Sequence, residues 1–571
     1  MLVLLLRVNR IMNLRRKIMN QLFTSIMLAF LLIIMAVPAV AQDTLDVSAD
    51  GIGTLNDAIA GDTLADGSRN PNRVYRLSRD AAYLITGSLT VPDGYPMRMV
   101  ATNGSGHRPM FIPMTDDGGA SYRHFWVTGD GEWKGLYFTN VDDLGNNPVG
   151  AKNMFRLQGE GSRYLLYDCY IDGDTQAIFR MNSADEKLFI IDCIFRNMAR
   201  TADPWDGIAI AARGGYQDTI YVENSTIYAG SNRVIQAFDG VIKNAIFNHC
   251  TFAYFGGVQG GNFDLQQTVN LTFTNNVLFD IGFEGHNSRP EAQMLPIDSM
   301  NTGDFGTDAE RKIKISNNVY GWSPEITAWI ESKAAPEAGK DTLWKYVFQD
   351  TVTENMMANF PNMVAENNIM EDLVFSDPPD VTIFADYSKA RYDTDYDNSN
   401  NPDMRVDRNG IGNLYDNFGG YGLAEDEFDF DYQPTAAAYT HAEGNYPAGD
   451  LNWFPELKAV WEGGGPNNID NAPISALPEM FSLVQNYPNP FNPTTTIEYN
   501  LNKPAQVKMV VYNSLGQQVK VLVNGQSQKA GSYMVNWDGK DDTGKFVASG
   551  LYFYRLDADN QTMTKKMLML K

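Results

Sequence analysis

The sequence predicts an all-β protein, a right-handed parallel β-helix followed by a small antiparallel β-sandwich, on three observations. The first is a repeat. YLLYDCYI (164 to 171), LFIIDCIF (188 to 195), IYVENSTI (220 to 227), AIFNHCTF (245 to 252), LTFTNNVL (271 to 278) and IKISNNVY (313 to 320) each read as an alternating strand, a small or polar pair, and a second short apolar strand. With Asp168, Asp192, Asn224, His249, Asn275 and Asn317 as equivalents, the steps are 24, 32, 25, 26 and 42 residues, one coil length with loops inserted twice. The second is the contour of that unit. About 24 residues at roughly 3.3 Å each span about 80 Å, one circuit of a three-sided coil. A leucine-rich repeat would need a fixed Leu spacing and a helical half, and the β-branched and aromatic alternation excludes helical repeats. The third is a change of character near the end, where TTIEYNL, AQVKMVVYNS, QQVKVLV, GSYMVNWDG, LYFYRLDA and TMTKKMLMLK read as five to seven short antiparallel strands.

The elements follow in order. Arg7, Arg10, Arg15, Arg16 and Lys17 precede the apolar run Ile26 to Val37, and Ala39-Val40-Ala41 supplies small residues for cleavage, so residues 1–41 read as a secretory signal. The run is too short to span a bilayer comfortably, which argues against a stable transmembrane anchor. Removing this segment takes the formal charge from −24 to −29, because it holds five basic residues and no acidic one. Such an acidic surface repels nucleic acid and anionic lipid, and it repels a polyuronate unless a cation or a local basic patch intervenes.

Residues 42–375 are assigned to the β-helix, with a capping element and first coils before Thr139. Residues 376–462 close it, 463–478 form a Gly, Pro and Asn linker, and 479–571 form the sandwich. Three cysteines, an odd number, cannot scaffold so large an exported chain. Cys169, Cys193 and Cys250 belong instead to a stacked column at the turn, with Ser225, Asn276 and Asn318 in the same register.

Two sets of residues are candidates for chemistry. Four positions past the repeat equivalents stand Asp172, Arg196, Tyr228 and Phe279, and the longest early insertion, RNMARTADPWDG, adds Arg200, Asp203, Trp205 and Asp206 beside Asp174. Trp205 and Tyr228 are suited to stacking on sugar rings, and Arg196 to pairing with a carboxylate. In FRL and FRM, Arg156 and Arg180 lie 24 residues apart and should project outward from successive rungs, held by an anionic ligand or by neighbouring acids. DTDYDNSNN (393 to 401) begins like a calcium loop but has no Gly at its sixth position and Met404 at its twelfth, and reads as a solvated acidic loop.

The coil pattern resembles the pectate-lyase-like β-helix superfamily, and FDFDYQPTAAAYTHAEGNYPAGDLNWFPE (428 to 456) resembles the closing segment of exported β-helix proteins. The first resemblance implies β-elimination on a uronate polysaccharide, with Ca²⁺ held by Asp172, Asp174, Asp203 and Asp206, and Arg180 or Arg200 as base. Arg156, Arg196, Trp205 and Tyr228 would bind substrate. The family's R-x-P-x-x-R signature, and the paired Asp and G-H-G marks of the galacturonases, are not in this sequence. The tail, YPNPFNPTTTIEYNL with VYNSLGQQVKVL, GSYMVNWDGKDDTGK and VASGLYFYRL, resembles the C-terminal sorting domain of type IX secretion cargo and its flagellar-hook-cap-like immunoglobulin relatives. That resemblance implies an Ig-like sandwich, the type IX secretion machinery as partner, and a secreted or surface location reached through the periplasm. Pro488, Pro490 and Pro493 remove donors, so the lead-in cannot extend a sheet. The expected function is recognition of extracellular polysaccharide, with or without lyase cleavage. The rival is a noncatalytic adhesion rod.

Overall fold

The computed structural model describes residues 43–104, 106–114, 123–140, 153–174, 176–198, 206–237, 240–256, 261–282, 294–300, 306–333, 347–393, 428–462, 481–483, 486, 491–501, 505–513, 518–529, 531–548, 550–558 and 561–569. The expected secretory signal, the linker, Pro488 and Pro490 lie outside them. The chain divides into two compact units, residues 1–467 and 468–571.

In the first unit three all-parallel sheets of eleven, ten and six strands, visited in rotation, make a parallel β-helix, and an antiparallel pair, Phe375–Asp377 with Asp429–Tyr432, joins the closing segment to it. One coil shows the circuit: Asn153–Leu157 in the six-stranded sheet, Arg163–Tyr167 in the eleven-stranded sheet, Tyr170–Asp174 in the ten-stranded sheet, then Ala177–Met181 back in the first. Each strand pairs with its counterpart one coil later, in register, as in Leu166 with Ile190 and Ile190 with Val222.

The sharp corner between the eleven- and ten-stranded sheets explains the repeat. Asp168, Asp192, Asn224, His249, Asn275 and Asn317 all take positive φ, between 44° and 63°. Asn and Asp tolerate this left-handed region better than other side-chain-bearing residues, which is why the turn carries them. Asn367, at φ 61°, is a seventh member that the repeat alignment did not include. Behind each corner Cys169, Cys193, Ser225, Cys250, Asn276 and Asn318 form the expected single file, since the strands that follow them pair in register.

The core is the inside of the coil. Phe125, Phe155 and Phe179 stack up the inner face of the six-stranded sheet with centroids 4.8 and 4.9 Å apart. Strand alternation then turns the residue after each Phe outward. At the start of the coil the helix Thr54–Gly61 buries Leu55 and Ile59, covering core that would otherwise meet water.

The second unit is antiparallel, with sheets of three and four strands around a core that includes Phe491, Trp537, Tyr554 and Met569. Its alternating pattern is plain in Ala505–Asn513, where Ala505, Val507, Met509 and Val511 are buried while Gln506 and Lys508 are exposed. Phe491 bridges to Met569, and the Asn486 backbone N–H donates to the Tyr554 hydroxyl at 2.8 Å, so the segment approaching the first long strand is fastened to its own core.

Candidate functional site

The structure sorts the candidate residues onto two different sheets. Asp172 and Arg196 face one another across adjacent rungs of the ten-stranded sheet, in the predicted register. Arg196 donates from Nε and Nη2 to Asp172 Oδ2 at 3.0 and 2.8 Å, Tyr137 Oη donates to the same oxygen at 3.1 Å, and Asn197 Nδ2 donates to Oδ1 at 2.8 Å. Arg196 and Asn197 are sequence neighbours and would alternate in a regular strand. Asn197 sits at φ 59°, which breaks the alternation and brings its amide to the same carboxylate.

This face is closed to solvent. Tyr228 is 2% exposed, its ring 5.0 Å from Phe430 and 6.2 Å from Phe428. Phe279 packs on Phe375, and Phe375 on Phe430, both at 5.2 Å. Polar bonds fasten the same closing segment: Thr226 Oγ1 donates to Asp450 Oδ2 at 2.8 Å, Trp453 Nε1 to Thr226 Oγ1 at 2.7 Å, and Lys458 Nζ to Asp192 Oδ1 at 2.7 Å.

The expected cation and sugar site therefore needs correction where its members are described. Asp172 has both oxygens engaged and no exposure. Asp206 precedes a strand of a different sheet, Ile208–Ala212, and interacts electrostatically with Arg213. These two do not fit a shared Ca²⁺, and among the described residues no three His, Cys, Asp or Glu side chains converge as ligands. Arg196 and Tyr228 are structural parts of the covered face. Arg200, Asp203, Trp205 and the Asp174 side chain lie outside the described residues.

The six-stranded sheet carries the open site. Trp126, Arg156 and Arg180 pair rung to rung and project from its outer face, each preceded by a core Phe. The Arg156 guanidinium carbon lies 4.7 Å from the centroid of Trp126, and that of Arg123 lies 5.8 Å from it. Trp126 remains 38% exposed. Arg180 donates to two neutral oxygens, Asn182 Oδ1 at 3.1 Å and Gln176 Oε1 at 3.3 Å. Among the described residues no carboxylate pairs with Arg123, Arg156 or Arg180, and the Nε atoms of Arg123 and Arg156 are buried without an acceptor.

The electrostatics record crowding of like charge. Partial burial, then Arg156 and Arg180, lower the Arg123 pKa below its ordinary value. Partial burial, then Arg213 and Arg156, lower that of Arg180. A guanidinium stays protonated through such shifts, so the face is a fixed cluster of positive charge on an acidic chain.

Arg156 and Arg180 stand as the 24-residue spacing places them. Arg123 and Trp126 did not emerge from the repeat, because Trp126 precedes Arg156 by 30 positions, not 24. The triplets Phe125-Trp126-Val127, Phe155-Arg156-Leu157 and Phe179-Arg180-Met181 carried the signal that would have found Trp126.

Residues 492–562 match the FlgD Ig-like domain family. This agrees with the antiparallel second unit. No curated protein matches the chain. Among solved structures it is similar to dimeric latent PorU from Porphyromonas gingivalis, with 20% identity and a TM-score of 0.14 over 16% of this chain and 9% of that one. It is also similar to PorZ of the same organism, described as an essential surface component of its type-IX secretion system, with 17% identity and a TM-score of 0.12 over 16% and 11%. FlgD from P. aeruginosa gives 27% identity and a TM-score of 0.12 over 16% and 64%. The chain spans less than two thirds of each of these proteins. Among the described residues, no helix is long and apolar enough to cross a membrane.

Proposed function

We propose that this is an exported β-helix protein that binds an anionic extracellular polysaccharide on the outer face of its six-stranded sheet, and that its Ig-like unit is a type IX secretion sorting domain. The observation that carries the binding reading is the in-register stack of Arg156 on Arg180 beside an exposed Trp126, with no carboxylate neutralising it among the described residues. Successive rungs are about 4.8 Å apart, so the guanidiniums repeat along the coil axis at a spacing comparable to one sugar unit. Arginine offers paired donors to carboxylate or sulfate, and the indole offers a face to a pyranose ring. The sorting reading rests on the tail motifs and on the Ig-like family match.

The lowered pKa of Arg180 has the direction a proton acceptor needs, and Arg180 is the described candidate for the base of an elimination. Its protonation at neutral pH makes binding the primary function and cleavage the secondary one. Calorimetric titration with pectate, alginate and sulfated glycans tests the first, expecting affinity that falls with salt and at least a tenfold loss in Arg156→Ala and Arg180→Ala. Equal affinity in wild type and both variants overturns the site. Ultraviolet absorbance of unsaturated uronates in the same mixtures, with Ca²⁺ added, tests the second.

A further inference from the structure

The file behind the sharp corner has two halves. From Ser225 onward every rung but that of Cys250 hands an oxygen to the one before: Ser225 Oγ accepts from Cys193 N–H at 3.1 Å, Asn276 Oδ1 from Cys250 N–H at 2.9 Å, Asn318 Oδ1 from Asn276 N–H at 3.0 Å, and Asn368 Oδ1 from Asn318 N–H at 3.1 Å. At the Cys169 and Cys193 rungs this pattern stops, and two thiols stand one above the other.

Tyr170 and Ile194, the residues that follow them, pair in register, and the Ile194 N–H donates to the Cys169 carbonyl at 3.0 Å. Both side chains point into the coil, 1% and 0% exposed. Cys169 Sγ reaches the Tyr167 carbonyl at 3.4 Å and Cys193 Sγ the Ile191 carbonyl at 3.1 Å, the same local geometry one rung apart, and the Cys193 thiol interacts directly with that of Cys169. In-register neighbours in a sheet are about 4.8 Å apart, inside the Cα separation of about 4.4–6.8 Å that a disulfide spans. Cys250 lies two rungs beyond Cys193, about 9.6 Å away, with Ser225 between them, which exceeds the reach of about 7 Å.

We propose that Cys169 and Cys193 form a rung-to-rung disulfide when the chain folds under oxidising conditions, and that Cys250 stays a thiol. The two thiols give up two protons and two electrons as the S–S bond forms. A disulfide oxidant of the glutathione class accepts them and leaves as two thiols. The attacking species is a thiolate, and burial pushes the Cys193 thiol well above its ordinary pKa, so the bond forms while the coil is still open. It ties the ends of one full circuit and restrains the unfolded chain. Three cysteines do not scaffold the molecule, but this one pair staples the circuit that carries Arg180. The inference is independent of what that face binds.

The test folds the full chain in a glutathione redox buffer, traps thiols with an alkylating reagent under denaturing conditions, and maps peptides by mass. One alkylated cysteine per chain, at Cys250, and a Cys169–Cys193 peptide lacking two hydrogens are expected. Cys250→Ser should leave no thiol and keep the cross-link, whereas Cys169→Ser should leave two thiols and none. Serine already occupies this file at position 225, so both variants suit the coil. Three alkylated cysteines in folded wild type, or a cross-link that includes Cys250, overturns the proposal.

Discussion

Two outer faces of the same coil carry arginines, and they have opposite fates. On the ten-stranded sheet Arg196 joins Tyr137 and Asn197 around the Asp172 carboxylate and is buried, on a face where Tyr228 packs against Phe428 and Phe430. On the six-stranded sheet Arg156 meets Arg180, Arg123 and Trp126 and keeps part of its surface in water. Residue type does not separate a buried, paired arginine from an open one. The partner does, because a buried charge needs an opposite charge while an open one can wait for a ligand.

The largest expected effect breaks the covered face. Asp172→Ala leaves Arg196 buried without its countercharge and should cost about 3–5 kcal/mol in urea unfolding of the β-helix unit. Replacing Asp172 and Arg196 together by apolar residues of similar volume should recover most of that loss. If the single variant is as stable as wild type, Asp172 is not the countercharge that Arg196 needs.

The next effect depends on pH. Burial raises the Asp450 carboxyl to about 7, and Glu223 beneath the same segment is also raised by burial to about 7. A carboxyl whose folded value exceeds its unfolded one holds its proton more tightly in the native state. Its contribution is complete below the unfolded value near 4 and is lost as pH rises through about 7. Stability should fall across that window by up to about 1.4 kcal/mol per pH unit for each such group, and Asp450→Asn should flatten the slope. Hydrogen exchange of residues 449–462 at pH 5 and pH 8 reads this directly.

A smaller effect probes the sharp corner that leads into the ten-stranded sheet. Asn317 stands at φ 58°, donates to Asn275 Oδ1 at 3.3 Å and accepts from Asn367 Nδ2 at 2.8 Å. Asn317→Ala should cost about 1–2 kcal/mol, and Asn317→Gly less, since glycine accepts the left-handed backbone. The smallest effect on stability belongs to the open face. Arg156→Ala should shift unfolding by no more than about 0.5 kcal/mol, or stabilise slightly by relieving repulsion, while it removes anion binding. A large destabilisation there would make the two faces alike and sink the contrast.

Much of the coil was legible because its signals are local and periodic. Asp168 through Asn317 recur where a left-handed corner must form, and Phe-Arg recurs where a strand turns one residue in and the next out. The Asp172 and Arg196 register was legible for the same reason. That this face is covered was not, because the closing segment is fastened to it by contacts such as Thr226 with Asp450 and Asp192 with Lys458, separated by 224 and 266 residues. The left-handed file of Gly173, Asn197, Ala229, Tyr254 and Asp280 also escaped notice. Alanine and tyrosine pay about 1–2 kcal/mol there, so no propensity points to them and only the surrounding packing holds them.

From its residues alone this chain specified a winding β backbone, its corners, its in-register arginines and the sandwich at its end, since each follows from short-range stereochemistry repeated at a constant interval. Which outer face would be roofed over and which left open was settled only in three dimensions, by aromatic and polar contacts from a non-repeating segment that no periodicity announces.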